Sequence, residues 1–141
     1  MMPVRQFRAA SDVLLLAMDS AQSTAHGTQL PRTPWAVRLL VEQLIDALPD
    51  GPARETVLAL RDPRRGVTNH RVAPVMSELA ACAYIQPFGS FENAVWMIAE
   101  RGRAAADALW LEVTPAEAES VKSAAQRAIA IFVAWSNTSR P

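Results

Sequence analysis

One cysteine, two histidines, five glycines and one lysine among 141 residues remove several chemistries at once. A lone Cys82 makes no internal disulfide, which fits a reducing compartment. A metal site gathers several histidine, cysteine or carboxylate ligands at short spacing. His26, His70 and Cys82 stand far apart, so neither a metal nor a cofactor is expected. His26 reads as a loop residue and Cys82 as a small packing residue on an alanine-rich helix. The glycines build no phosphate-cradling loop, and no serine lies in a glycine-flanked elbow. Glu117 and Glu119 stand two apart on a helix and so do not share a face. The expectation is that this is not an enzyme.

Long apolar runs are missing too. Residues 13–18 (VLLLAM) fall far short of the roughly 20 that a membrane helix requires. The first residues also lack the charged, apolar, small order of a signal peptide. A cytoplasmic chain with no membrane partner is expected. Fourteen basic and fourteen acidic side chains cancel, which excludes a simple polycationic arm but leaves room for a local basic face.

What is present is an ordinary core. Half of the residues are apolar, and a domain this size buries about 70% of its unfolded surface. A single domain over 1–141 is expected: N-terminal helices in 1–50, a core in 52–112 and a C-terminal helix in 114–136. Asp12 can cap a helix through residues 13–18, and residues 20–31 read as a loop or a frayed helix end. Thr33-Pro34 is a helix start, a threonine cap followed by proline where its missing donor costs nothing. Val37, Leu40, Val41, Leu44, Ile45 and Leu48 then give one apolar face. Residues 49–52 break the chain, 53–60 form a short helix, and 62–69 make a turn-rich connector. The next helix ends near Ala83 and starts between Asn69 and Pro74; within that window Pro74 argues for a start near Val72 or Ala73, since proline is tolerated only in a first turn. Thr114, Pro115 and Glu117 spell a capping box for a last helix running to about Trp135. That helix is apolar on more than one side.

Residues 77–110 carry the most information. A helix end is followed by an extended Tyr84-Ile85-Gln86-Pro87-Phe88 run, turn residues 89–93, a second β-prone run over 94–98, and Gly102 at the entry to another helix. Leu79, Tyr84 and Ile85, then residues 96–102 (WMIAERG), resemble the second half of the winged helix-turn-helix domain of MarR-like and PadR-like bacterial regulators. Ala83 stands where those families place a helix-ending glycine, and Ala99 where they place threonine or serine. The resemblance implies a mainly α fold with a small β-hairpin, a winged helix-turn-helix core flanked by N- and C-terminal helices.

It also implies sequence-specific binding of double-stranded DNA by a homodimeric transcriptional regulator. Arg61, Arg64, Arg65 and Arg71, opposed only by Asp62, put positive charge just before the candidate recognition helix. Arginine favours phosphate, and arginine, asparagine and histidine at a helix start favour base edges. The expected DNA-binding set is Arg64, Arg65, Thr68, Asn69, His70, Arg71, Ser77 and, at the wing, Asn93. Ile129, Phe132, Val133 and Trp135 are the expected dimerisation residues. Trp35, Trp96, Trp110 and Trp135 are core or interface aromatics, with a small-molecule effector pocket as the other use. The alternative function is a winged-helix protein–protein interaction module that binds no DNA, part of a larger assembly. The apolar and acidic wing tip, Phe91 and Glu92, favours it.

Overall fold

The computed structural model describes residues 9–22, 30–89 and 95–138, except the side chains of 133 and 135–138. The chain is mainly helical with a small antiparallel sheet. The helices are α1 (Ala10–Gln22), α2 (Pro34–Ala47), α3 (Pro52–Leu58), α4 (Asn69–Ala81), α5 (Glu100–Trp110) and α6 (Pro115–Thr138). The strands are β1 (Leu30–Pro31), β2 (Arg61–Asp62), β3 (Gly66–Val67), β4 (Ile85–Phe88) and β5 (Val95–Ile98).

The apolar run of residues 13–18 becomes the centre of the molecule. α1 begins at Ala10, ahead of the Asp12 expected to cap it, and buries Ala10, Ser11 and every residue from Val13 to Asp19. A helix apolar on all sides has no stable place except inside a core. α3, α4, α5, α6 and β5 all pack against it. Its one deeply placed carboxylate is satisfied: Trp110 Nε1 donates to Asp19 Oδ2 at 2.8 Å, and Arg103 lies 3.9 Å from Asp19 Oδ1.

α2 follows the spacing of its sequence. Val37, Leu40, Val41, Leu44, Ile45 and Leu48 are all buried. Thr33 occupies the N-cap position through its backbone, its carbonyl accepting from Ala36 and Val37. Its hydroxyl makes no capping bond and is buried without a partner among the described residues. The capping box of α6 does form: Glu117 N donates to Thr114 Oγ1, and Thr114 N donates to Glu117 Oε1, both at 3.1 Å. Val121, Ala124, Ala125, Ala128 and Phe132 face inward on α6, which packs on α1 and α2.

The sheet runs β1-β5-β4, with Ile85 opposite Ile98 and Phe88 opposite Val95. β1 falls in a segment whose sequence reads as loop; two residues carry no periodicity. It pairs Leu30 with Trp96 and Pro31 with Val95. Pro31 and Pro87 therefore both lie on edge strands, where a missing donor points away from the ladder. Gln22 extends the pairing by side chain alone, donating to Trp96 O (3.0 Å) and accepting from Ile98 N (2.7 Å).

Two backbone details join α4 to the sheet. Ala83 has φ +60°; Tyr84 N donates to Leu79 O and Ala83 N to Ala80 O, both at 3.0 Å. This paired arrangement closes a helix C-terminus around a left-handed residue, normally glycine. Ala99 N then donates to Tyr84 O at 2.8 Å. α5 sits so close to that carbonyl that a Cβ on Gly102 would overlap it.

Candidate nucleic-acid interface

The turn-rich connector 62–69 takes the form of a hairpin with Arg61. β2 and β3 pair Arg61 with Val67 and Asp62 with Gly66. Asp and Pro open the turn in their favoured places, and Gly66 takes φ +76°. Asp62 Oδ1 accepts the backbone amides of Arg64 (2.8 Å) and Arg65 (3.1 Å). The bond from Arg64, the largest effect, outweighs the cost of desolvation and, with smaller help from the Arg65 amide and the charge of Arg71, holds the Asp62 carboxyl below its ordinary value near 3.8. The result is a short finger with the exposed side chains of Arg64 and Arg65 at its tip.

Arg71 is turned the other way. Its Nη1 donates to Ala59 O (3.1 Å) and Arg61 O (3.2 Å), while Nη2 lies 3.8 Å from Asp62 Oδ2. Arg71 therefore ties the first turn of α4 to the base of the finger, and much of its donor capacity is spent within the chain. The four arginines fall close together in sequence, and the fold divides them by job.

α4 starts at Asn69, earlier than Pro74 alone suggests. Thr68 fixes the start through its carbonyl, which accepts from Arg71 and Val72, and Pro74 lies inside the helix. The cost is one missing intrahelical bond on an exposed face. α4 buries only Val72, Met76 and Leu79. Asn69, His70, Ala73, Pro74, Ser77 and Glu78 stay exposed, so Asn69, His70 and Ser77 share the outer side at helical spacing. Thr68 is half-buried and its side chain makes no capping bond. Cys82, expected as a packing residue, is exposed at the helix end. Asn93, His26, Phe91 and Glu92 lie outside the described residues.

Two further arginines lie over aromatic rings of β5 and of the α4 end. Arg32 lies over the Trp96 ring, 4.7 Å from its centroid, and Arg101 over Tyr84 at 5.8 Å. Arg101 falls within the 96–102 stretch, whereas Arg32 belongs to no motif; the β1-β5 pairing and the α4–α5 junction bring them to the sheet and the end of α4. A third, Arg38 on α2, lines a cleft with Arg65, and its Nε is buried without a partner among the described residues. A buried orphan donor of this kind costs about 1–3 kcal/mol.

The expected dimerisation set divides. Phe132 is buried in its own chain, its ring edge-to-face with Trp35 at 5.7 Å and 77°. It is a core residue, because α6 packs its main stripe onto α1 and α2. Ile129 is half-buried, Ile131 is 40% exposed, and the side chains of Val133 and Trp135 lie outside the described ones. Among the described residues no cluster of histidine, cysteine and carboxylates could hold a metal, and no helix is long and apolar enough to cross a membrane. No family model matches the chain, and neither does any curated protein or solved structure.

Proposed function

We propose that the chain binds double-stranded DNA in a sequence-specific way and acts as a homodimeric transcriptional regulator built on a winged helix. The observation that carries this reading is the free outer side of α4, set between two hairpins. At its start stands the β2–β3 finger with Arg64 and Arg65, and after its end comes the β4–β5 hairpin. A helix so exposed fits the major groove, with Asn69, His70 and Ser77 at base edges. Arg64 and Arg65 take phosphates at its N-terminus, where the helix dipole also favours anions. Arg71 serves as the brace that sets the finger against the helix. Arg32 and Arg101 supply the positive charge that the β4–β5 hairpin itself lacks. Dimerisation uses the outer side of α6 around Ile131, with Phe132 excluded from the contact.

Selection of bound duplexes from a random pool, followed by a salt titration of the enriched sequence, tests the reading. Enrichment of one motif with affinity falling steeply in salt is expected. No retention of any duplex at low ionic strength refutes it. A second reading, a protein-interaction module, is favoured by Phe88, which is 61% exposed on β4, and by the acidic Glu78 on the outer side of α4. That reading gains if duplex fails.

A further inference from the structure

A cleft of about 350 Å³ opens between α2 and the β2–β3 finger, lined by Trp35, Arg38, Leu39, Glu42, Arg65 and Val67. Trp35, Arg38, Leu39 and Glu42 fall at three- and four-residue spacing, so one side of α2 forms the wall. Arg38 and Arg65 make no side-chain hydrogen bond or ion pair with any described residue. Two guanidiniums facing one cavity without a bonded carboxylate repel one another, and an anion between them removes that repulsion. Arg38 Nε adds a shielded donor with no acceptor.

We infer that this cleft is an oxyanion site, with Arg38 and Arg65 clasping a phosphate or carboxylate group and the Trp35 ring as its apolar wall. Guanidinium suits this ligand because its parallel N–H groups match two oxygens of a phosphate or carboxylate. An anion bound at the Nε–Nη edge of Arg38 would give the orphan donor its acceptor. Glu42, which also lines the cleft, sets the limit on affinity, since its carboxylate opposes any anion entering. The ligand is either a free small anion or one phosphate of a nucleic-acid backbone. The site is read in the protein alone, so its test stands apart from the outcome of duplex binding.

Inorganic phosphate, titrated into the full chain in chloride buffer and followed by phosphorus NMR, is the first arm. Saturable binding is expected, weakened about tenfold or more by Arg38→Met and by Arg65→Ala, each of which removes a charge-assisted contact. Arg64→Ala, at the finger tip and outside the cleft, should leave it unchanged, and Glu42→Gln should tighten it. Arg65 and Glu42 are exposed, so their variants carry the test even if Arg38→Met folds poorly. The second arm is duplex DNA. Indifference to phosphate, combined with a duplex salt slope that falls by about one in Arg38→Met, assigns the oxyanion to the backbone and upholds the site. Phosphate binding that survives both arginine substitutions overturns the inference. Indifference to phosphate with an unaltered duplex slope in Arg38→Met overturns it as well.

Discussion

The Trp110 indole donates to the Asp19 carboxylate at 2.8 Å, linking the last turn of α5 to a buried position on α1. The bond satisfies an acid that burial alone would penalise, and it fixes α5 to α1. Lys122 of α6 lies over the same ring, 5.6 Å from its centroid. One side chain thus connects three helices.

Trp110→Phe should therefore destabilise the fold by about 1–3 kcal/mol, the cost of leaving a buried acceptor short of its donor. Urea denaturation measures it. Asp19→Asn keeps an acceptor for the indole and should cost less; an equal loss in both variants would place the effect in packing instead.

The left-handed Ala83 makes an opposite prediction. Relief of left-handed strain favours glycine by roughly 1–2 kcal/mol, while the freer unfolded chain opposes it by about 0.4–1 kcal/mol. Ala83→Gly should thus stabilise by several tenths to about 1 kcal/mol, read as a higher urea midpoint. Gly102→Ala should lower the midpoint sharply, because its methyl meets the Tyr84 backbone carbonyl and nothing flexible can yield.

Asp62 sets a pH dependence. Its carboxyl titrates below 3.8 in the folded chain, so what it contributes to stability is fully present above that value and disappears as pH falls through the lowered folded value. An NMR titration of Asp62 should give a midpoint below 3.8 that rises when Arg71→Gln removes the neighbouring charge. Asp62→Asn should flatten the acid limb of the stability profile.

If the finger grips phosphate, Arg64→Ala with Arg65→Ala should weaken binding to all duplexes and make the salt slope shallower by about two. Arg71→Gln should instead lower stability as well as affinity, since it removes the brace between finger and helix. Fluorescence anisotropy at several salt concentrations separates the two patterns.

Local signals in the sequence proved readable where the physics is local. The Thr33-Pro34 start, the six-residue apolar face of α2, the Thr114–Glu117 box and the two strands of the second hairpin each depend on neighbours within a few residues. The start of α4 was harder, because Pro74 argues for a later start than the Thr68 carbonyl actually sets. β1, the core position of Phe132 and the Arg38 cleft all depend on partners far along the chain, and the bracing bonds of Arg71 on partners beyond the reach of local spacing. For the cleft, the one available signal was Arg38 placed between Trp35 and Glu42 on the side of α2 away from its apolar stripe.

The burial of α1 on all sides carries a consequence for how the molecule is made. α1 is synthesised before α6, one of the helices that cover it, and residues 23–114 separate the two. Residues 13–18 must wait, bare or shielded by a chaperone, while more than a hundred residues are synthesised. Ribosome-bound chains stalled before residue 115 should therefore be protease-sensitive at α1 and bind holdase chaperones, and release of the full chain should end both.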